Sequence, residues 1–408
     1  MQPDTPRIAT IDLVRGVAVM GILLMNVQSF AMPEAAYLNP AAYGGAHGWN
    51  LAVWATELVL VDGKMRGLFS WLFGASLLLV TDRAGTRAAQ VHYRRMGWLL
   101  VFGLAHLVLV WDGDILVHYA AVGAVAFAFR RRPAHALVAA AIALIVLQLV
   151  LSLDTPLAAD QIAAEIAGGH PSSEALHDWP LVRDQFGVPA PATIAHQIAL
   201  HRGSYAGLVA DRVAEAPRLV LGTLWSVGLE TLAYMLLGMA ALKGGMLTGG
   251  WSRRGYARTV AIGFGIGVPL GAALAWWVIA QRFDPRAVAW EAETLSAPLR
   301  PPMIAGWIAL IVLLLRPAGA IGSRVAAAGR MAFSNYLGTS LICAGAFDGL
   351  GLFGRFTRVE LLAVVAAVWL AMLLWSQPWL ARFRYGPMEW AWRSLARWRL
   401  EPMRGGAG

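Results

Sequence analysis

Apolar runs long enough to cross a lipid bilayer follow one another along almost the whole chain, which removes most soluble folds from consideration at once. A spanning helix takes roughly 20 mostly apolar residues to cross a hydrocarbon core of about 30 Å. About ten stretches approach that length, at 12–31, 49–81, 94–111, 115–129, 134–153, 218–242, 258–280, 302–316, 328–349 and 359–376. Lipid offers the backbone no hydrogen-bond partner, so such stretches fold as helices. The expected fold is therefore all-α: a polytopic integral membrane protein of about ten transmembrane helices forming one multi-helix domain over 1–408. Composition agrees, with 14% charged residues against about 25% in soluble proteins. The net charge of +9 sits in short clusters between apolar runs, so it speaks for topology and not for a nucleic-acid partner.

Lysine and arginine distribution orients the bundle. With the N-terminus inside, roughly two thirds of the 33 fall in cytoplasmic loops, including Arg7, Arg83, Arg87, Arg253, Arg254 and the run Arg130 to Arg132. Arg183, Arg202, Arg212, Arg218, Arg282, Arg286, Arg300, Arg355 and Arg358 fall outside. Both termini are expected in the cytoplasm of a multi-pass bacterial plasma (inner) membrane protein, whose first apolar run is a permanent helix and not a cleaved signal. The stretch 49–81 would extend about 50 Å as one helix. A break is expected at Asp62-Gly63-Lys64, with Trp49 to Val61 along the outer interface and Arg66 to Val80 crossing. Lys64 and Arg66 then reach the outer leaflet as snorkelling anchors or as cations lining a vestibule.

Residues 154–217 form an acidic external loop, in which Ile194, Ile198, Tyr205, Leu208, Val209 and Val213 predict an amphipathic helix on the outer surface. Its histidines lack metal-ligand spacing and Cys343 is the single cysteine, so no metal is expected. Residues 377–408 form a cytoplasmic basic and aromatic tail, where Trp390, Trp392 and Trp398 alternate with arginines as in a headgroup-held segment.

The junction from Gly103 to Leu116 carries the strongest chemical signal. It places His106 about 18 Å deep, counting from Arg94, and Asp112 about 27 Å deep, next to Asp114. Ionisable groups at such depth are expensive and usually have a task. An imidazole there can take a proton from a hydroxyl or amine, with a carboxylate to orient it. His106 and Asp112 do not share a helical face, whereas Asp114 and His118 stand one turn apart and can face each other, with Tyr119 beside them. Asp12 and Arg15 form an ion pair at the entry of the first helix, and Asn26 lies about four turns deeper. Asn335 and Tyr336 belong to a polar patch that serves as interhelical glue or as a wall for a ligand.

Ile11-Asp12-Leu13-Val14-Arg15-Gly16, Gly21 to Asn26, Ala36-Tyr37-Leu38-Asn39-Pro40, Leu72-Phe73-Gly74, the His106 to Leu116 junction, Gly329 to Leu337 and Gly386-Pro387-Met388-Glu389-Trp390 together resemble the YeiB family of bacterial inner-membrane proteins, nearly end to end. A more distant similarity reaches the transmembrane acyltransferases of the heparan-glucosaminide acetyltransferase type, through Asp12, Arg15, Gly16 and Asn26. That group uses a histidine just before a Trp-Asn pair, and His47-Gly48-Trp49-Asn50 offers one at a spacing shorter by one residue.

The resemblance implies a membrane acyltransferase moving an acyl group from a cytoplasmic acyl-CoA, such as acetyl-CoA, to a sugar, lipid or cell-envelope acceptor outside. Arg15, Arg94 and Arg95 would bind the donor phosphates. His106 or His47 would act as base, Asp112 or Asp114 would orient it, and Asn26 or Asn335 would serve the oxyanion. Asp12, Lys64, His118, Tyr119, Asn335 and Tyr336 are further candidate substrate contacts. The alternative is a transporter or lipid-handling protein that uses the same buried charges.

Overall fold

Helices satisfy the backbone throughout, and the computed structural model, which describes residues 8–404, contains no strand among them. Arg7 and the last residues of the basic tail lie outside the described residues. In chain order the helices are α1 (Ala9–Ala31), α2 (Gly48–Leu60), α3 (Lys64–Ala84), α4 (Ala88–Leu109), α5 (Leu116–Ala126), α6 (Ala134–Leu151), α7 (Asp154–Ala167), α8 (Ser173–Phe186), α9 (Pro191–His201), α10 (Tyr205–Lys243), α11 (Arg253–Ala280), α12 (Pro285–Ala289), α13 (Arg300–Leu314), α14 (Ala320–Arg330), α15 (Ala332–Ala344), α16 (Arg358–Arg382) and α17 (Pro387–Arg397). Among the described residues, 6 helices are long and apolar enough to cross a membrane: α1, the nearly continuous pair α6 and α7, α10, α11, the stretch Pro285–Leu314, and α16. Large apolar side chains such as Leu104, Val146, Leu221, Ile266, Trp276 and Leu370 point outward, as helices bathed in lipid require.

Because lipid tails are as apolar as leucine, close packing and not water exclusion must hold such helices together. Two glycines do this at the crossing of α3 and α10. A Cβ on Gly74 would overlap the Met235 carbonyl, and one on Gly238 would overlap that of Trp71. The two backbones therefore touch, and this crossing fixes the relative positions of Arg66 and Glu230 about two turns away.

The expected break between α2 and α3 falls at Gly63, whose φ of 66° suits glycine. Lys64 neither snorkels nor faces a vestibule. It is buried, with Nζ donating to the Leu58 carbonyl at 2.7 Å, and so satisfies the end of α2. The external segment also differs from expectation. The predicted amphipathic helix is divided at Arg202 to Ser204, where Ser204 accepts from the Gly207 amide at 3.1 Å and starts a new helix. That helix, α10, continues unbroken for 39 residues. The tail is likewise divided, since its first residues extend α16 to Arg382 before α17 begins.

Candidate functional site

At the end of the bundle where α1 begins lies a cavity of about 330 Å³. Arginines enter it from six places: Arg15 on α1, Arg83 on α3, Arg95 on α4, Arg330 on α14, Arg384 after α16 and Arg393 on α17. Among the described residues the lining carboxylates are Asp12 and Glu389, and Phe69, Phe73 and Tyr119 mark the inner end. Arg15 reaches Asp12 at 3.4 Å and Ser76 at 2.9 Å. The Arg95 guanidinium lies 3.8 Å over the Trp392 ring, and the Trp392 indole donates to the Arg95 carbonyl at 2.9 Å. Glu389 accepts from the Phe333 amide at 2.7 Å and the Ser334 hydroxyl at 2.5 Å, which ties α17 to the start of α15. Burial pushes its carboxyl above the usual range. Guanidinium forks over an aromatic floor suit phosphate or carboxylate oxygens carried on an apolar arm.

A second cavity, of about 460 Å³, opens at the opposite end. Asn26, Ser29, Gln148, Ser152, Gln185 and Ser226 line it, together with Glu34, Asp62, Glu293, Arg66, Arg300 and Glu230. Glu230 is buried and accepts from Arg66 at 2.5 Å, Arg300 at 3.1 Å and Tyr234 at 2.7 Å. Arg300 also donates to Ser296 at 2.9 Å. Both arginines are thus committed to protein partners, while Asp62 accepts the Tyr37 hydroxyl at 3.3 Å. Burial, reinforced by the Asp112 carboxylate, raises Glu34, and burial together with Asp62 raises the Tyr37 phenol. This chamber offers hydroxyl, amide and carboxylate groups in quantity but no uncommitted cation from Arg66 or Arg300.

Ile22, Ile115 and Tyr119 line both cavities, so these side chains form the wall between them. His106 stands beside that wall. Its ring centroid is 5.3 Å from that of Tyr336, a wall residue of the arginine cavity, and 6.2 Å from that of Trp111, a wall residue of the other. His106 Nδ1 meets Asp114 at 2.8 Å, and the second Asp114 oxygen accepts from the Val117 amide at 2.8 Å, which caps α5. In the neutral form of the ring a carboxylate at Nδ1 holds the proton there, which makes Nε2 the acceptor. Nε2 is buried without a hydrogen-bond partner among the described residues. Tyr119 bonds to Ser70 at 2.8 Å and to the Arg66 carbonyl at 3.1 Å.

The structure therefore pairs His106 with Asp114, across the turn between α4 and α5, and not with Asp112. The expected facing pair of Asp114 and His118 does not form, because His118 turns to Thr231 at 2.9 Å. Asp112 is half-buried. Asn335 is fully used between helices, bonding the Ala328 carbonyl at 3.0 Å, Ser376 at 3.2 Å and the Trp375 indole at 2.8 Å. That makes it glue, not a ligand wall. His47 is exposed at the start of α2 and lines neither cavity, and Arg94 is exposed with Trp398 5.9 Å away. Asp12, Arg15, Arg95, Tyr119 and Tyr336 line the arginine cavity, and Asn26 lines the other. Sequence reasoning missed Glu230, although a lone carboxylate within the apolar run 219–242 is the same kind of signal as His106. It also passed over Arg330, Arg384 and Arg393 as lining groups, because nothing in their spacing reveals convergence from separate helices.

A family model described as a protein of unknown function (DUF418) matches residues 241–399. The uncharacterized protein YxaH of Bacillus subtilis is 28% identical, covering 97% of this chain and 96% of its own. An uncharacterized 39.9 kDa protein from the amylase 3' region of Bacillus acidopullulyticus is 23% identical over 97% of this chain and 96% of its own. No solved structure matches. The uncharacterized protein YeiB of Escherichia coli is 35% identical, covering 95% of this chain and 96% of its own, and the chain accordingly belongs to the YeiB family.

Proposed function

We propose that this protein is a plasma-membrane acyltransferase which carries an acyl group from a cytoplasmic acyl-CoA to a polar acceptor at the outer face. In this reading ten helices cross, namely α1, α3, α4, α5, α6, α10, α11, α13, α15 and α16, and both termini lie in the cytoplasm. The arginine cavity then opens inward and the polar chamber outward. One observation carries the reading: two cavities of opposite chemical character end on a common wall of Ile22, Ile115 and Tyr119, beside a buried histidine whose Nε2 has no hydrogen-bond partner among the described residues.

The arginines hold the donor's phosphates while its thioester arm follows the aromatic floor toward Tyr119. The acceptor fills the polar chamber, and rotation of the wall side chains brings the two together. His106 Nε2 takes the proton from the acceptor hydroxyl or amine as that atom bonds to the thioester carbon, with Asp114 stabilising the imidazolium. Asn26 serves the developing oxyanion. As the carbon–sulfur bond breaks, the proton passes from His106 to the departing thiolate, so the step balances without a further reactant. His47 and Asn335 have no place in this scheme.

Transport or lipid handling is a second reading, favoured by the buried Arg66–Glu230–Arg300 cluster beside a thin wall between opposed cavities. Purified protein in nanodiscs with labelled acetyl-CoA and a panel of sugars and lipids separates the two. Label transfer that depends on His106 supports the enzyme. Flux of a substrate into proteoliposomes without any acyl donor, and no donor binding at millimolar concentration, would replace it with the transporter.

A further inference from the structure

Trp111 holds an unused donor beside His106. Its side chain is 4% exposed and lines the polar chamber, and its Nε1 has no hydrogen-bond partner among the described residues. Buried indole N–H groups usually find an acceptor, so an unpaired one in a cavity wall points to a ligand. The Trp71 indole is also unpaired, but it lines neither cavity.

The Trp111 ring is fixed in place from several sides. Its backbone amide donates to the His106 carbonyl at 2.8 Å, which ends α4 and ties the two residues together. The Phe30 ring stacks on the indole with centroids 4.1 Å apart and planes 22° apart, and the His106 ring meets it edge-on at 81°. Gly113, which lines the same chamber, makes room for the indole edge, because a Cβ there would overlap Cζ2 and Cε2, the latter bonded to Nε1. A molecule that fills the chamber up to this wall therefore meets two fixed groups of opposite kind. His106 Nε2 accepts in the neutral ring, and the Trp111 N–H can only donate.

A hydroxyl matches both groups. Its O–H bonds to His106 Nε2, one oxygen lone pair accepts from Trp111, and the second is left for attack. A neutral amine has a single lone pair, which the Trp111 N–H occupies, so its nitrogen cannot attack while it is held. A protonated amine, the ordinary form near neutral pH, has none. We propose that the acyl acceptor is a hydroxyl and not an amine, chosen by the Trp111 N–H, and that the product is an ester. The inference rests on the acyl-transfer reading. The hydroxyl oxygen bonds to the thioester carbon as its proton moves to His106 Nε2. The carbon–sulfur bond breaks, the proton passes to the departing thiolate, and an ester and a free thiol leave. Ser29, Gln185 and Asp62, elsewhere on the chamber wall, suit the further hydroxyls of a polyol.

The test gives the full chain in nanodiscs labelled acetyl-CoA with ethylene glycol or with ethanolamine, probes small enough to reach the wall whatever the shape of the natural acceptor. Acid quenching preserves the products, and hydroxylamine then releases label from esters but not from amides. Ester is expected on both probes, dependent on His106, with amide no faster than without protein. Trp111→Phe keeps an aromatic ring against Phe30 and removes the N–H. Ester formation should fall about tenfold, as for loss of one hydrogen bond, and amide should now form on ethanolamine. Benzothienylalanine in place of Trp111, with sulfur for N–H in a ring of the same size, should act alike and covers the case in which phenylalanine disturbs the fold. Amide made by the parent protein with His106 dependence overturns the inference and leaves the acyltransferase standing. So does an ester preference unchanged in both variants, or donor binding without label on either probe. Absence of donor binding overturns the acyl-transfer reading and the inference with it.

Discussion

The two cavities hold their arginines in opposite ways. In the polar chamber Arg66 and Arg300 converge on the single buried carboxylate of Glu230, which also accepts a tyrosine hydroxyl. In the other cavity six arginines arrive from separate elements, the lining carboxylates among the described residues are Asp12 and Glu389, and Glu389 is committed to the start of α15. A guanidinium already matched to a buried carboxylate has little left for a ligand, whereas an excess of cations around a void is stabilised by an anion that enters. On the proposed reading the same residue type is architecture at one end and a binding surface at the other. The difference lies in where the carboxylates are.

The sharpest way to break this contrast is at the wall. His106→Ala should reduce label transfer by about 10²- to 10⁴-fold, the range expected for a general base, with donor binding and thermal stability retained. Asp114→Asn should lower activity as well, since it disturbs the tautomer that leaves Nε2 free. Full transfer by His106→Ala would remove the proposed base and leave the two cavities unconnected by chemistry.

Next in size is Glu230→Ala. If the cluster is architecture, removing the Glu230 carboxylate leaves the Arg66 and Arg300 charges buried without the carboxylate they share, a loss of about 3 to 5 kcal/mol in stability. Thermal unfolding in detergent measures it directly. A variant as stable as the parent but impaired in substrate handling would move the cluster from architecture to binding, and so favour transport.

Smaller and more local effects are expected in the arginine cavity. Arg15→Ala and Arg95→Ala should each weaken donor binding by about tenfold, as expected for loss of one charge-assisted contact, while leaving stability nearly unchanged. Titration of the donor by calorimetry checks this. Loss of fold in either variant, with no effect on affinity, would make these arginines structural and erase the contrast with Arg66 and Arg300.

How much of this was legible beforehand depends on the range of the interaction. Helices α1, α6, α11 and α16 follow from apolar length alone, and the break at Gly63 follows from a polar triplet inside a run too long for one crossing. His106 stood out because burial in a bilayer makes an imidazole conspicuous. Its partner stayed open between Asp112 and Asp114, because the turn from Val110 to Ile115 folds back and brings Asp114 to it, while helical periodicity argues only along one straight helix. The excess of arginines was read as loop charge, which is all that topology rules can see. Their convergence is a long-range fact of how α1, α3, α4, α14 and α17 meet.

Asn335 offers the finest test, because its two readings differ in kind and not in degree. From sequence it stands in a polar patch that can equally line a ligand site or join helices. In the structure its amide donates to Ala328 on α14 and Ser376 on α16 and accepts from Trp375, so all its polar atoms are used. Interhelical hydrogen bonds in membrane proteins average about 0.6 kcal/mol. Asn335→Ala breaks several of them and strands the Trp375 indole, so a loss of about 1 to 2 kcal/mol is expected. Transfer kinetics should be unchanged at temperatures where the variant is folded, because neither cavity is lined by this side chain. A fall in kcat without a fall in melting temperature would return Asn335 to the site and require the wall between the cavities to open on the α15 side, where Tyr336 now stands between His106 and the arginines.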